Sequence, residues 1–273
     1  MSVKKEANGR RSVQNEFEVH GTPEEVWQAI ATGPGISSWL MPAEFEDRDG
    51  KPVALKLDFG EGLKPISTVT TWDPPRTYAA QSEGLREGSP PVATEWHIEA
   101  QAGGTCVLRI VHSLFASTDD WDDQLEHIES GWSAFLVTLR IYLQYFRGQR
   151  STLMKWMLPF EGTEAEAWET LTAAIGVKGL SVGQRWSSPV GVPQASGVVD
   201  YNHQGPNDIL LRLDQPGPAV MALGTVDMGN QCMVGMNVYL YGEQGAELAA
   251  RIKPLWQAWM EARFPAPKGS RGG

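Results

Sequence analysis

The run GGTCVLRIVHSLF, residues 103–115, carries the most chemically suggestive side chain of this sequence. Read as a strand, it places Leu108, Ile110, His112 and Leu114 on one face and Arg109 and Ser113 on the other. A histidine on an otherwise aliphatic face can hold a polar group of a ligand or move a proton, because its charge changes near neutral pH. The commoner role of such a residue is a satisfied core histidine. The preceding run, VATEWHIEAQ, puts Trp96 and Ile98 on one face. Glu95, His97 and Glu99 lie on the other, where the two glutamates read as a solvated surface. The histidines at 20, 97, 112, 127 and 203 have no metal-ligand spacing among themselves or with Cys106 and Cys232. There is no GxSxG elbow, P-loop or GxGxxG, so neither a metal nor a nucleotide cofactor is expected and no residue is assigned as catalytic. The acidic run DDWDDQLEHIE, 119–129, falls where a helix begins and suits its dipole better than it suits a calcium loop.

The chain that must position these residues has 273 of them, 41% hydrophobic, with 11 Trp, 8 Phe and 6 Tyr. That composition supplies real cores and excludes global disorder. A net charge of −10 argues against nucleic acid or an anionic membrane as the main partner. No apolar run reaches the ~18 residues of a membrane span, and the opening MSVKKEANGRRS lacks the apolar segment of a secretory signal. The cysteines form no CxxC pair and suit a reducing compartment, so a cytoplasmic protein is expected. Residues 1–12 and 265–273 are polar, locally basic, and read as disordered tails.

The sequence writes one phrase twice. GTPEEVWQAIATGPGI begins at Gly21 and GTEAEAWETLTAAIGV at Gly162. Each is a helix start: Thr22 and Thr163 cap, Glu25 and Glu166 complete capping boxes, and Pro23 fits the first helical position. An extended segment precedes each phrase, and a pair of strand-like runs joined by a turn follows well after it, at Gly103-Gly104 and at Gly229-Asn230. Cys106 and Cys232 come two residues after their turns, which marks an inherited strand position rather than a redox pair. Each copy ends in a helix. The first runs from about Asp119 to Phe146, with Trp121, Leu125, Ile128, Trp132, Phe135, Leu136, Leu139 and Leu143 on one stripe. The second runs from about Gln244 to Arg263, where Pro254 is expected to kink or split it. The offset between copies falls from 141 residues at the helix start to 126 at the cysteines, so the second copy has lost fifteen from its middle. The order strand, helix, antiparallel strands, long terminal helix therefore occurs in two domains, 13–148 and 152–264, with the boundary in RGQRS, 147–151.

The whole reads as an α+β chain of two tandem domains, each a curved antiparallel sheet wrapped round a long C-terminal helix. This plan resembles the helix-grip fold of the START-related SRPBCC superfamily. Four segments narrow the likeness: TVTTWDPPRTYAAQSEG at 68–84, ISSWLMP at 36–42, GGTCVLRIVHSLF at 103–115 and SGWSAFLVTL at 130–139. Together they resemble the C-terminal-domain family of the activator of the ninety-kilodalton heat-shock chaperone's ATPase. The second copy departs from the pattern: it has no Asp-Pro-Pro-Arg turn, although DYNHQGPNDILLRL stands in a similar place, and Leu255-Trp256 replaces Gly-Trp.

A sheet wrapped round a helix can leave an apolar cavity between them. The side chains expected to line it in the first domain are Trp96, Leu108, Ile110 and His112 from the strands and Trp132, Phe135 and Leu139 from the helix. Trp39 and Tyr78 are placed at its wall or rim. Plain core packing is the competing account of all these aromatics. The expected function is the binding of a small hydrophobic molecule without catalysis. The tandem arrangement also resembles the two-domain aromatase/cyclases of polyketide synthesis, for which His112, Tyr78 and Arg109 are the groups available to orient a substrate or move protons. A protein partner, as the family name implies, or a homodimer completes the set of expected partners.

Overall fold

The computed structural model describes residues 3–60, 62–83, 90–116, 120–204, 207–229 and 231–265. The chain divides between Gly148 and Gln149 into two units, each with its own sheet and its own terminal helix. No helix among the described residues is long and apolar enough to cross a membrane.

The first unit begins with strands β1 (Lys4–Lys5) and β2 (Arg10–His20), followed by helices α1 (Pro23–Ile30) and α2 (Gly33–Ser37). Six strands come next: β3 (Ala43–Arg48), β4 (Lys51–Leu57), β5 (Ile66–Asp73), β6 (Thr77–Ser82), β7 (Val92–Gln101) and β8 (Thr105–Phe115). Helix α3 (Asp122–Ile141) closes the unit and runs into a single π-helical turn, Tyr142–Phe146. The strands form one antiparallel sheet in the order β1-β2-β8-β7-β6-β5-β4-β3. It curves round α3, which packs against β2 and β8.

The second unit repeats this with β9 (Ser151–Phe160), α4 (Glu164–Ile175), β10 (Arg185–Ser187), β11 (Ser196–Gln204), β12 (Asn207–Gln215), β13 (Ala219–Asp227), β14 (Cys232–Tyr241) and α5 (Gly245–Arg263). Its sheet order, β10-β11-β12-β13-β14-β9, is that of the first sheet without counterparts of β1 and β3. The fifteen missing residues are thereby located in a lost strand and shortened connections.

Register confirms the duplication residue by residue. Cys106 pairs with Val19 and Cys232 pairs with Phe160, each partner two residues before its Gly-Thr. Both capping boxes form, with Thr22 and Thr163 accepting from the backbone N–H groups of Glu25 and Glu166. Gly21 and Gly162 have φ of 128° and 144°, a region closed to residues with a Cβ, which explains why glycine opens both phrases. β11 and β12 pair as β5 and β6 do, although the turn between them, 205–206, and Asn230 of the β13–β14 turn lie outside the described residues.

Three expectations need correction. Residues 1–12 are not a free tail throughout. β1 pairs with β2, Arg11 and Ser12 are buried, and Arg11 meets Asp122 at the start of α3 through bonds of 2.5 and 2.7 Å. Local composition shows only the charge, whereas the partner lies 111 residues away. Helix α5 runs unbroken from Gly245 to Arg263 rather than splitting at Pro254: the proline and Ala250, whose carbonyl loses its donor, are both on the exposed side of the helix. Glu95 does not lie on a fully solvated face, since it is half-buried and accepts from Arg10 at 2.5 Å. Apart from Pro265, the terminal stretch 265–273 lies outside the described residues.

Candidate functional site

The first unit holds a cavity between its sheet and helices. Alternation along three strands supplies the inner wall: Leu55 and Leu57 from β4, Tyr78 and Ala80 from β6, Thr94 and Trp96 from β7. Tyr78 stands directly opposite Trp96, and Ala80 opposite Thr94, so these side chains form two adjacent rungs. Ile30 and Ile36 close one side and Trp132 of α3 the other. The space open to the centre of a water molecule is about 70 Å³, within about 460 Å³ of empty volume that includes the mouth.

The aromatic rings are held by one another and by the ends of helices. Trp39 is 1% exposed, and its indole Nε1 donates to the Ala29 carbonyl at 2.9 Å. That carbonyl is among the last of α1 and has no partner within the helix, so the indole fixes both the helix end and its own ring. Trp39, Trp96 and Trp132 form a triangle with centroids 5.8 to 6.4 Å apart, two of its sides edge-on. Each such pair contributes about 0.5–1.5 kcal/mol beyond burial. Trp72 meets Tyr78 edge-on at 5.5 Å and steadies it from the neighbouring strand.

The wall is uncharged. Burial pushes the Tyr78 phenol above its ordinary range, so it remains protonated. Burial also holds the His112 imidazole down at about 4, so it is neutral at pH 7. His112 stands opposite Thr94 in the β7–β8 register, with its Nδ1 3.0 Å from Thr94 Oγ1 and its ring centroid 5.2 Å from that of Trp132. It lies behind two residues of the wall rather than in it. No group of three His, Cys, Asp or Glu among the described residues is placed to hold a metal ion. An uncharged pocket of rings and aliphatic groups with a few hydroxyls can hold an apolar molecule and orient it weakly.

Of the residues singled out from sequence, the structure brings Trp39, Tyr78, Trp96 and Trp132 together round this cavity. Leu108, Ile110 and Leu139 are fully buried, and Phe135 partly so, but none of them lines it. Arg109 lies on the outer face, donating to Glu16 at 2.8 Å, and therefore leaves the set of groups that could meet a substrate. Leu55, Leu57, Ala80 and Thr94 were not foreseen. The alternations Leu55/Leu57 and Tyr78/Ala80 were the available signal, but alternation does not say which strands reach one cavity. In the second unit one buried cluster runs from Met154, Trp156 and Met236 on the sheet to Trp256, Met260 and Phe264.

No curated protein matches the chain. Among solved structures, MLL2253 of Mesorhizobium loti is 21% identical over 50% of this chain and 98% of its own, with a TM-score of 0.43. The Aha1 dimer of Colwellia psychrerythraea is 23% identical over 50% and 98%, with a TM-score of 0.40. The di-domain ARO/CYC BexL of the BE-7585A biosynthetic pathway is 11% identical over 94% and 99%, with a TM-score of 0.44. Residues 20–144, which run from the end of β2 into the π-helical turn, match the sequence model described as Activator of Hsp90 ATPase homolog 1-like protein.

Proposed function

We propose that the first unit binds a small, apolar, ring-containing molecule in the cavity walled by Trp39, Tyr78, Trp96 and Trp132, and performs no chemistry on it. The observation that carries this reading is the composition of the wall: four aromatic rings and aliphatic side chains round a partly open space, with no charged group among them. A flat apolar molecule gains from leaving water and from edge and face contacts with these rings. A cyclase-like enzyme is the weaker reading, because Arg109 faces outward and the groups left near the wall are neutral. The protein-partner reading rests on the family description alone.

The test begins with native and denaturing mass spectrometry of the full chain, which detects any co-purified small molecule. Toluene is then titrated against the wild type and Ala80→Val, with Trp indole NMR signals as the readout. Ala80 is buried in the wall, and two added methyl groups fill part of the space in a side chain that strands favour. Wild-type binding that weakens at least tenfold in Ala80→Val is expected. Absence of toluene binding, or equal binding by both proteins, overturns the proposal.

A further inference from the structure

Only one side-chain nitrogen or oxygen among the described residues is both shut off from solvent and without a hydrogen-bond partner: Nε2 of His112. The Tyr78 hydroxyl and the Trp96 indole N–H also lack partners among the described residues. They are therefore not shut off. Tyr78 is 2% exposed and Trp96 4%, so the sliver of surface that each keeps includes its polar atom. Both side chains line the cavity, and Phe45 and Trp72 pack edge-on against the Tyr78 ring at 5.8 and 5.5 Å. What remains open to the hydroxyl is the cavity.

The second unit is an internal control on whether the fold needs these groups. Ile110 and Met236 each stand four residues after their cysteine. Strand pairing leads from Ile110 to Trp96 and on to Tyr78, and from Met236 to Leu223 and on to Ile209. The equivalents of the two polar side chains are thus aliphatic, and both are fully buried. A sheet that packs with isoleucine and leucine at these places has no structural use for a hydroxyl and an indole N–H. Nearly buried polar groups without partners are costly, and a bound group offsets that cost.

Resting on the ligand reading above, we infer that Tyr78 is a specificity-determining residue whose hydroxyl, beside the Trp96 N–H, donates to an oxygen of the cavity's occupant. That occupant is then a carbonyl-bearing ring compound, such as an aryl ketone, rather than a bare hydrocarbon. An indole N–H can only donate, and a protonated phenol is able to donate as well. Burial moves the Tyr78 phenol further from ionising, so it keeps its proton. A carbonyl oxygen offers two lone pairs and brings no proton of its own that would need an acceptor. The wall holds no carboxylate to take such a proton and no cation to recruit an anion.

Acetophenone and α-methylstyrene have nearly the same shape and differ by an oxygen in place of a methylene. The full chain is titrated with each, in wild type and in Tyr78→Phe, with the Trp indole N–H signals as readout. The variant keeps the ring and loses only the oxygen. The ratio of acetophenone to α-methylstyrene affinity is expected to fall about tenfold in Tyr78→Phe, the scale of one hydrogen bond. Comparing that ratio between the two proteins cancels the different solubilities of the compounds. Acetophenone labelled with ¹³C at the carbonyl gives a second reading. Bound to the wild type, its signal should lie near the value in water, and in Tyr78→Phe it should move towards the value in cyclohexane. Should the variant fail to fold, the wild-type carbon signal decides alone. An unchanged ratio, a wild-type signal at the cyclohexane value, or binding of α-methylstyrene alone overturns the role of Tyr78 and leaves the apolar cavity standing. If neither compound binds, the cavity reading and this inference fall together.

Discussion

Asp122→Ala tests whether the N-terminal segment is part of the first unit's core. The Arg11 side chain is only 7% exposed and that of Asp122 18%, and Lys5 Nζ adds a third contact with Asp122 at 3.1 Å. Opposite charges about 4 Å apart attract by roughly 4 kcal/mol at an effective dielectric near 20, and desolvation cancels much of it. What survives is the pair of charge-assisted bonds, each contributing about 1.5–3 kcal/mol. Removing the carboxylate leaves the guanidinium buried without it, and losses of about 3–5 kcal/mol follow when a buried pair is broken in this way. Asp122 is partly open and Lys5 half-exposed, so the lower end applies: about 3 kcal/mol. Arg11→Met keeps the packing and removes the buried charge with its donor, and should cost about 1 kcal/mol. Amide exchange in β2 and β8, read by mass spectrometry on the full chain, should therefore speed up by roughly 150-fold in Asp122→Ala at pH 7.

The pH dependence has a definite sign. Bonds from Arg11, and then Lys5, hold the Asp122 carboxyl below its ordinary value. A depressed carboxylate stabilises the fold fully above its unfolded value of about 4 and loses that contribution as pH falls through the folded value. The gap between wild type and Asp122→Ala should thus be constant near neutrality and close below about pH 4. Exchange in Asp122→Ala within threefold of wild type at pH 7, or a larger effect in Arg11→Met than in Asp122→Ala, would refute the reasoning.

Other outcomes follow from the same geometry. A Cβ on Gly35 would lie 1.9 Å from the Gln28 carbonyl oxygen, so Gly35→Ala must push α2 off α1; a loss of about 3 kcal/mol or more in chemical denaturation is expected, with Trp39 displaced. In the second unit Trp186 Nε1 donates to the Ile175 carbonyl at 3.0 Å, as Trp39 does to Ala29 in the first. Trp186→Phe should cost about 1–3 kcal/mol, seen as faster exchange confined to α4 and its neighbours. Cys106 and Cys232 are buried, with thiols raised above their ordinary value mainly by that burial. Iodoacetamide at pH 8 should label neither until denaturant is added, and rapid labelling of the native protein would contradict their placement.

The duplication was legible because it is written in local chemistry. A glycine at positive φ, a capping threonine and its glutamate three residues on must be adjacent in sequence to work, so Gly21-Thr22-Glu25 and Gly162-Thr163-Glu166 announce two helix starts without any structure. Strand alternation likewise put Trp96 and His112 on faces that prove to be buried. The resemblance of the first copy, carried by short segments in order, placed the fold.

Which buried side chains face one cavity was decided only by the tertiary structure. The period of a strand separates two faces but does not rank positions along the inner one. Leu108 and Ile110 share a face with His112 yet serve as plain core, while Ala80 and Thr94 reach the cavity through the β6–β7 register. Arg109 could be assigned a use only once Glu16 was found beside it across the β2–β8 pair. The same holds for Arg11, whose charge marked a frayed end until Asp122, 111 residues on, was found beside it. Capping and alternation act within a few residues and are readable from the chain. Ion pairs, cavity walls and the unpartnered Nε2 of His112 depend on which distant segments the fold brings side by side.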